Sequence, residues 1–253
     1  MKLVTWNVNS LKARAEHVAA YLDRVSPTVL CLQELKQEDA AVDRSIFLSR
    51  GYHLEVYGQK AYNGVAIASK HPMRDVTRGL FPAEDGQSRS IAATIADLRI
   101  VNLYCPQGRA VDHAYYQYKL SFYDALIAWV REGWSDALLV TGDLNIALED
   151  QDLWDPEFWR GRCTATDEER KRFRALLDLG LVDAVKPYLA EGAFSFWDYQ
   201  RRSFDLGHGL RIDHWLVTEA LQKLVQGATI AIDERERERP SDHAPVELDL
   251  AWS

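Results

Sequence analysis

Carboxylate, amide and imidazole side chains recur in this sequence at the ends of short apolar or β-branched runs, which are typical of strands. These residues are Asn7, Glu34, Asp143, Asn145, Asp213 and the pair Asp242-His243. In a layered fold, reactive side chains converge at strand ends and in the loops that follow them, while the core stays apolar. We therefore expect these residues to share one rim of the fold.

Four of these residues are carboxylates, which can only accept hydrogen bonds when ionised. Gathered on one rim, they would repel each other unless a hard cation lay among them. The set lacks the several His and Cys ligands that zinc prefers, so it favours Mg²⁺ or Mn²⁺. With one histidine and asparagine donors, such a cation is suited to phosphodiester hydrolysis, in which a carboxylate aligns or deprotonates the attacking water.

Each of these motifs also has an ordinary structural explanation. Glu34 alone could be a solvated strand end, and residues 143–145 could be a turn whose side chains bond their own backbone. Asp242-His243 could be the turn that enters the last strand, and Tyr104 could be a packed aromatic residue with its hydroxyl at the surface. The residues taken singly leave these alternatives open.

The composition is that of a folded protein. Of 253 residues, 47% are hydrophobic and 27% are charged, which excludes intrinsic disorder. Nowhere do 18 apolar residues run together, and the N-terminus does not resemble a secretory leader, so we expect a cytoplasmic protein without a membrane segment. The three cysteines fit neither a disulfide framework nor a zinc pattern, and the lack of linkers and repeats predicts a single domain over residues 1–253.

Short runs predict eleven strands, and periodic segments predict three helices. The strand candidates are residues 3–8, 28–35, 54–57, 64–69, 91–96, 99–104, 137–141, 193–199, 212–217, 228–232 and 245–250. Helical spacing of apolar residues predicts helices over 11–25 and 116–130, and a capping box of Thr166 with Glu169 begins a third that ends near Gly180. This order of elements predicts an α/β fold in which two mixed sheets pack face to face under covering helices.

Six stretches carry a more specific signal than the single residues. They are residues 5–14 (TWNVNSLKAR), 32–34 (LQE), 104–108 (YCPQG), 142–146 (GDLNI), 209–213 (GLRID) and 241–245 (SDHAP). Together they make the sequence resemble the exonuclease III type of abasic-site (AP) endonuclease, within the wider endonuclease/exonuclease/phosphatase superfamily. The fourth and sixth stretches are shared across the superfamily, whereas the first, third and fifth are narrower.

The resemblance implies a four-layered α/β sandwich and a Mg²⁺-dependent DNA repair phosphodiesterase, in which Mn²⁺ is expected to substitute for Mg²⁺. The implied substrate is double-stranded DNA with abasic sites or blocked 3′ ends. The implied reactions are cleavage 5′ to the abasic site, 3′-5′ exonuclease activity and 3′-end trimming. Glu34 is implied as the principal metal ligand, supported by Asn7 and Asp242, and the protein is expected to be a monomer.

The resemblance also implies roles for the remaining residues of the rim. Asp143 would align or activate the attacking water, with Asn145 beside it. His243 would contact the scissile phosphate, Asp213 would orient His243, and Tyr104 would reach the phosphate as well.

A pocket for the abasic sugar is implied at Phe196, Leu210 and Ile212. Leu210 and Ile212 alternate around Arg211, so on an extended segment both would face one side, next to Asp213. The alternative is that all three residues belong to the core, because alternating apolar residues usually do.

The net charge of −8, from 30 Lys and Arg against 38 Asp and Glu, should repel a polyanion at long range. DNA contact therefore requires a local basic patch reinforced by bound cations. The candidate contacts lie in loops beside the predicted strand ends and are Arg89, Gln107, Arg109, Lys12, Arg14 and Arg201-Arg202. The basic run at 170–174 is explained by helical ion pairs with Asp167 and Glu168, and the alternating run at 234–239 predicts a solvated edge strand or loop.

Two other functions are compatible with parts of this pattern. A superfamily phosphatase that acts on a phosphoinositide or another small phosphoester would use the same metal residues, but it should lack the stretches at 104–108 and 209–213. A binding protein without catalytic activity would tolerate the loss of Glu34, Asp143 or His243, and all three are present.

Overall fold

Two six-stranded sheets form the centre of the structure, a computed structural model that describes residues 1–81, 86–133 and 137–252. Strands are numbered in chain order. The first sheet contains, in spatial order, β11 (Val225–Ile230), β12 (Val246–Leu250), β1 (Lys2–Asn7), β2 (Val29–Gln33), β4 (Val65–Ser69) and β3 (His53–Tyr57). The second contains β5 (Met73–Arg78), β6 (Ser90–Ile95), β7 (Leu98–Tyr104), β8 (Leu138–Asp143), β10 (Asp213–Thr218) and β9 (Leu181–Asp183).

The helices are α1 (Ala15–Val25), α2 (Ser45–Leu48), α3 (Ala114–Arg131), α4 (Pro156–Trp159), α5 (Asp167–Leu177) and α6 (Glu219–Gln222). The three longest, α1, α3 and α5, cover the outer faces of the two sheets. The apolar stripe of α1 packs on the first sheet, and α3 and α5 pack together on the second. The predicted four-layered α/β sandwich is therefore confirmed. Within the described ranges, no helix has both the length and the apolar character needed to cross a membrane.

The sheets pack face to face because their strands alternate between two apolar surfaces. In β1, Leu3 faces the core between the sheets and Val4 faces the layer under α1, and both are fully buried. Burial of each such side chain contributes about 1.5–3 kcal/mol. The central cluster also contains Cys31, one of three buried free cysteines.

One polar contact crosses this apolar interface directly beneath the site. Gln33, the last residue of β2, donates to the Asn102 side chain on β7 at 2.6 Å, and Asn102 donates in turn to the backbone oxygens of Leu32 and Ala66 at 2.9 Å. Buried amides of this kind fix the offset between layers, because any slip would leave them unsatisfied.

Most predicted elements agree with the structure, but one predicted strand is wrong and two strands were not predicted. The predicted strand at 193–199 is wrong, because this segment is a loop with only isolated bridges from Phe196 to Leu210 and His243. Two strands were not predicted: β5 is a charged edge strand with an irregular register between Arg74 and Thr77, and β9 is only three residues long. Neither carries a strong periodic signal. The three predicted helices are confirmed, including the capping box that begins α5.

Strand direction brings the polar strand ends to one edge. β1 runs parallel to β2, and β7 runs parallel to β8, so the carboxyl ends of each pair meet. β10 runs antiparallel to β8 and β12 antiparallel to β1, so both of these strands begin at that same edge. The sheet registers pair Asp143 with Tyr104 on one side and with Asp213 on the other.

Candidate active site

His243 lies at the centre of the polar edge, between two buried aspartates. Its Nδ1 is 2.8 Å from Asp213 Oδ2, and its Nε2 is 3.7 Å from Asp143 Oδ2. Burial by itself would lower the pKa of His243, but the Asp213 and Asp143 carboxylates raise it to about 10. The imidazole is therefore a cation at neutral pH, with its Nε2–H directed toward Asp143 across a gap too long for a hydrogen bond.

The Asp143 carboxylate is held by two donors. Asn7 Nδ2 donates to Oδ2 at 2.9 Å, and the backbone N–H of Asn145 donates to Oδ1 at 3.0 Å. Burial raises the pKa of Asp143 to about 7, against the opposing charge of His243. A carboxylate in this state is basic enough to accept a proton from a reacting group.

Glu34 follows β2 in the left-handed backbone region, at φ 54°, which turns its side chain into the site. Its Oε1 accepts from Asn7 Nδ2 at 2.9 Å, and its Oε2 is 2.9 Å from Lys36 Nζ. Burial opposes its ionisation, but the charge of Lys36 and the hydrogen bond from Asn7 keep the pKa of Glu34 below its ordinary value. Glu34 is thus an anion that shares one amide donor with Asp143.

Ligand atoms of Glu34, Asp143 and His243 lie within 4.8 Å of one another. Among the residues that the structure describes, this is the one group of His, Cys and acidic side chains close enough to hold a metal ion. Asn7 turns its amide nitrogen to the two carboxylates, while its oxygen accepts from the backbone of Asn9 at 2.9 Å. The predicted ligand Asn7 therefore contacts the cluster as a donor.

Asp242 lies one step outside this cluster. Its Oδ1 accepts from Asn9 Nδ2 at 3.0 Å, and Asn9 accepts a hydrogen bond from Lys36, which is paired with Glu34. The structure thus connects Asp242 to Glu34 through two intervening side chains.

Tyr104 closes the site from the end of β7. Burial, together with the charges of Glu34 and Asp143, raises the pKa of the Tyr104 hydroxyl well above its ordinary value. The hydroxyl therefore stays protonated and can donate. The Arg89 guanidinium lies 5.0 Å from the ring centroid of Tyr104 and donates to its backbone oxygen at 3.1 Å.

An open groove of about 610 Å³ runs from Tyr104 along the loop that follows it. Three of the predicted DNA contacts, Arg89, Gln107 and Arg109, line this groove. The Arg109 guanidinium lies 4.6 Å from the Tyr115 ring centroid and is exposed. A second groove is lined by three lysines and two acidic residues, among others: Lys12, Lys36, Lys60, Glu38 and Asp43. It is adjacent to the site through Lys36, which pairs with Glu34.

Asn145 does not face the reacting side of Asp143. Its side-chain Nδ2 donates to the backbone oxygen of Cys105 at 2.9 Å, so its amide ties two loops together. Its contact with Asp143 is made by its backbone N–H.

Phe196, Leu210 and Ile212 belong to one small apolar cluster, but their exposure differs. Leu210 and Ile212 are each 3% exposed, whereas Phe196 is half-buried, with its ring centroid 4.8 Å from that of His243. Only Phe196 of the three therefore presents a substantial surface beside the site.

Two of the remaining predicted DNA contacts, Arg14 and Arg202, are engaged within the protein. Arg14 donates to the backbone oxygens of Asn9 and Pro240 and to Tyr199, and Arg202 pairs with Asp205. The Arg201 side chain lies outside the described part of the structure. In the run at 170–174, the predicted helical ion pair is present between Arg172 and Glu168, at 2.8 Å. In the run at 234–239, Glu234 and Arg235 are buried, so the prediction of a solvated segment is wrong for these two residues.

The family model described as "Endonuclease/Exonuclease/phosphatase family" matches residues 4–243. This range includes every residue of the cluster around His243. The chain belongs to this family. Among similar proteins, Exodeoxyribonuclease III of Haemophilus influenzae is 36% identical over 97% of this chain and 98% of its own length.

Two solved structures of similar proteins have the same fold as this chain over nearly its full length. The 3′ phosphatase NExo from Neisseria, bound to a product DNA hairpin, is 39% identical, with a TM-score of 0.96 over 100% of both chains. An AP endonuclease from Archaeoglobus fulgidus is 33% identical, with a TM-score of 0.94 over 99% of both chains. The resemblance to the exonuclease III type of this family, predicted from the six stretches, is confirmed.

Ser195, which the sequence did not mark, supports Asp213, and Arg211 forms a buried ion-pair network close to it along the chain. Ser195 Oγ donates to Asp213 Oδ2 at 2.6 Å and accepts from the backbone N–H of Asp213 at 3.2 Å. Arg211 is buried and bonds Asp152 with both ends of its guanidinium and Asp183 at 2.7 Å. Nothing in the sequence pattern around Ser195 indicated a role at the site, because the segment 193–199 was predicted to be a strand. The GLRID stretch did mark Arg211, whose contacts are structural.

Proposed function

We propose that this protein is a Mg²⁺-dependent DNA repair phosphodiesterase that cleaves double-stranded DNA 5′ to abasic sites and also trims 3′ ends as an exonuclease. The observation that carries the proposal is the placement of cationic His243, fixed by Asp213, across a 3.7 Å gap from Asp143. An anion-stabilising cation opposite a proton acceptor suits attack of water on a phosphodiester.

The chemistry of the donor set fits a magnesium ion. Glu34 and Asp143 offer carboxylate oxygens, which Mg²⁺ prefers, and a single amide from Asn7 serves both of them. Glu34 would hold the ion as its principal ligand, with Asn7 orienting the Glu34 carboxylate and Asp242 acting through Asn9, and Asp143 would face the attacking water beside the ion. Bound there, the ion would supply a Lewis acid for a phosphate oxygen, and Mn²⁺ should substitute because it takes the same ligands.

The side chains have separable tasks in this proposal. Asp143 aligns the attacking water and takes its proton, since burial has raised its pKa to about 7. His243 donates its Nε2–H to a phosphate oxygen as negative charge develops there. Asp213 accepts from Nδ1 and so keeps the other ring nitrogen directed at the substrate. Tyr104 offers a second protonated donor on the opposite side of the cluster.

The two grooves offer a path for the DNA backbone past the site. Arg89, Gln107 and Arg109 line one of them, and Lys12 lies on the other. A few such phosphate contacts position a duplex even on a protein with a net charge of −8, because the attraction required is local.

Selection of an abasic sugar is proposed to depend on Phe196. Its half-buried ring lies against His243, while Leu210 and Ile212 support it from the core. A wall of this kind favours a flipped-out sugar that lacks its base over an intact nucleotide, which is larger and costs more to extrude.

We further propose that the chain acts as a monomer, as one domain and in the cytoplasm. The family match over residues 4–243 supports the single domain. The three cysteines are free and buried, as expected for a protein of a reducing compartment.

The alternative is a phosphatase that acts on a phosphoinositide or another small phosphoester. The metal cluster would serve it equally, but two features support DNA. Gln107 and Arg109 line an open groove that extends beyond the size of a phosphate site. The similar Neisseria protein, a 3′ phosphatase, was determined with DNA. Removal of a 3′-terminal phosphate from DNA is therefore part of the 3′-end trimming that we propose.

The test is hydrolysis of four substrates with and without EDTA: an abasic duplex, a recessed 3′ end, a 3′-phosphorylated duplex and a phosphoinositide. We expect EDTA-sensitive activity on the three DNA substrates and none on the lipid. His243→Asn and Asp143→Asn should abolish it, while the control Asp97→Asn, at an exposed turn, should not. Activity confined to the lipid would reject the proposal, and activity on 3′ ends alone would reject abasic-site cleavage.

A further inference from the structure

A fully buried lysine lies behind the active site without touching it. Lys119, in the middle of α3, is 0% exposed, and its Nζ is 2.5 Å from Glu169 Oε1. The same Nζ donates to the backbone oxygens of Asn145, at 2.7 Å, and of Gln107, at 3.2 Å. Lysine is almost never fully buried unless it is paired, and the desolvation of such a pair is costly.

The two backbone oxygens belong to the loops that carry the reacting side chains. Gln107 is in the loop after Tyr104, and Asn145 is in the loop after Asp143. Asn145 adopts the left-handed backbone conformation at φ 53°, and in this conformation its N–H reaches Asp143 Oδ1. Asparagine adopts this conformation more readily than most residues do, and contacts with its surroundings then fix it there. Lys119 provides support by binding the oxygen of the same residue.

Helix α5 anchors the other side of the lysine. Glu169 accepts hydrogen bonds from the backbone N–H groups of Thr164 and Thr166, each at 2.9 Å, and completes the capping box at the start of α5. Its carboxylate therefore has a fixed position. Because Lys119 binds both Glu169 and the two loop oxygens, it ties both loops to the start of α5.

The loop at Gly108 is fitted closely to the lysine. A Cβ at Gly108 would lie 3.1 Å from Lys119 Cδ and 2.6 Å from Cys163 Sγ, and the residue has φ +93°. The loop can therefore close over the lysine stem only with glycine at this position.

We propose that Lys119 is a positioning residue for the reaction described above, on which this inference rests. Its ammonium holds the loops after β7 and β8 together, so that Tyr104 and Asp143 face the same site. Strand register fixes the backbones of Tyr104 and Asp143 but not the loop amide that orients the Asp143 carboxylate. Misplacement of a reacting group by about 1 Å can cost on the order of 100-fold in rate.

The test compares two substitutions that both remove the buried ion pair. Lys119→Met removes the bonds to both loop oxygens. Glu169→Gln removes the negative charge of the side chain but keeps an oxygen that can accept from Lys119. Glutamine, like glutamate, also occurs at this position of a capping box. We expect both variants to unfold at lower denaturant concentration than wild type. In steady-state assays on an abasic duplex, kcat should fall about 10–100-fold for Lys119→Met and stay within about 3-fold for Glu169→Gln, with KM little changed in both.

The double variant Lys119→Met/Glu169→Gln separates positioning from stability. Because it buries no unpaired charge, its unfolding midpoint should recover toward wild type, while its kcat stays as low as that of Lys119→Met. Tyr52→Phe is the matched control, since it deletes another buried donor to a backbone oxygen, that of Pro27 at 2.6 Å, at the end of β2 opposite Glu34. It should lose stability and keep its kcat.

Hydrogen exchange of the Asn145 amide gives a readout that does not depend on activity, and this amide should exchange faster in Lys119→Met than in Glu169→Gln. Recovery of kcat along with stability in the double variant, or equal losses of kcat in both single variants, would overturn the proposal. A wild-type protein inactive on all DNA substrates would instead reject the proposed function and leave the exchange result to decide the loop anchor.

Discussion

Asp213 Oδ2 lies 2.8 Å from His243 Nδ1 and receives the Ser195 hydroxyl at 2.6 Å. The Ser195 hydroxyl thereby fixes the position of the Asp213 carboxylate. The carboxylate in turn fixes the orientation of the His243 ring. Asp213→Asn retains the shape but can no longer stabilise the cationic ring, so kcat on an abasic duplex should fall by about 10³ or more. Measurement of kcat and of DNA affinity for this variant tests the relationship, since affinity should change little. A variant with near wild-type kcat would contradict it.

Asp143, Asp213 and His243 should act as one unit in the chemical step. Each single substitution to Asn removes the same arrangement, so each should lower kcat by orders of magnitude. The double variant Asp143→Asn/His243→Asn should be little slower than the slower single variant. A double-mutant cycle on kcat checks this, and additive losses in free energy of activation would show that the residues act independently.

Divalent-metal dependence should depend on Glu34. Glu34→Gln keeps the shape and the contact with Asn7 but removes the negative charge, so we expect loss of turnover at sub-millimolar Mg²⁺. A Mg²⁺ titration of activity and of metal binding by calorimetry measures the effect. Glu132→Gln, at an exposed position after α3, is the matched control and should titrate like wild type. Near wild-type turnover of Glu34→Gln at low Mg²⁺ would remove Glu34 from the metal site.

Phe196→Ala should reduce selectivity with little effect on stability, because the ring is only half-buried. The ratio of kcat/KM for abasic over undamaged DNA should decrease, while metal binding is unchanged. Leu210→Ala, at a position only 3% exposed, should instead lower the free energy of unfolding by about 2–5 kcal/mol. If Phe196→Ala unfolds as easily as Leu210→Ala and keeps its abasic preference, Phe196 is a core residue and the sugar site lies elsewhere.

Acid should weaken the fold through Asp183. Burial alone would raise the pKa of Asp183, but the charge of Arg211 and the hydrogen bond with His214 hold it well below its ordinary value. A carboxylate with a pKa lowered by folding stabilises the folded state above its unfolded pKa of about 3.9, and this contribution is lost as the pH falls below that value. Asp183→Asn should therefore be less stable than wild type by roughly 3 kcal/mol at pH 7.

Urea unfolding at a series of pH values measures this effect. The difference in unfolding free energy between wild type and Asp183→Asn should shrink as the pH is lowered from about 4 to about 2. Asp178→Asn, at an exposed position after α5, should show no such convergence. A difference that stays constant with pH would mean that Asp183 does not contribute through its charge.

The strand ends that carry the site residues could be located from local sequence patterns. Apolar runs of five or six residues define where a strand stops, and the polar residue that follows is then visible at once, as for Glu34 after β2 and Asp143 at the end of β8. The order of the strand and helix segments along the chain likewise predicted two mixed sheets packed face to face. Both are local properties of the chain, so no tertiary information was needed to infer them.

Which charged side chains are buried in ion pairs depends on the tertiary structure and could not be predicted from the sequence. Lys119 reaches Glu169 across 50 residues, and Arg211 reaches Asp152 across 59, so neither partner could be identified from spacing. Glu234 lies in a run of alternating charge that reads as solvated, yet it is 1% exposed and paired with Arg24. A charge is buried only where distant elements bring its counter-charge and backbone oxygens together, because desolvation otherwise costs more than the contact returns. Such a meeting of distant groups arises only when the layers pack together, so no local stretch of sequence can reveal it.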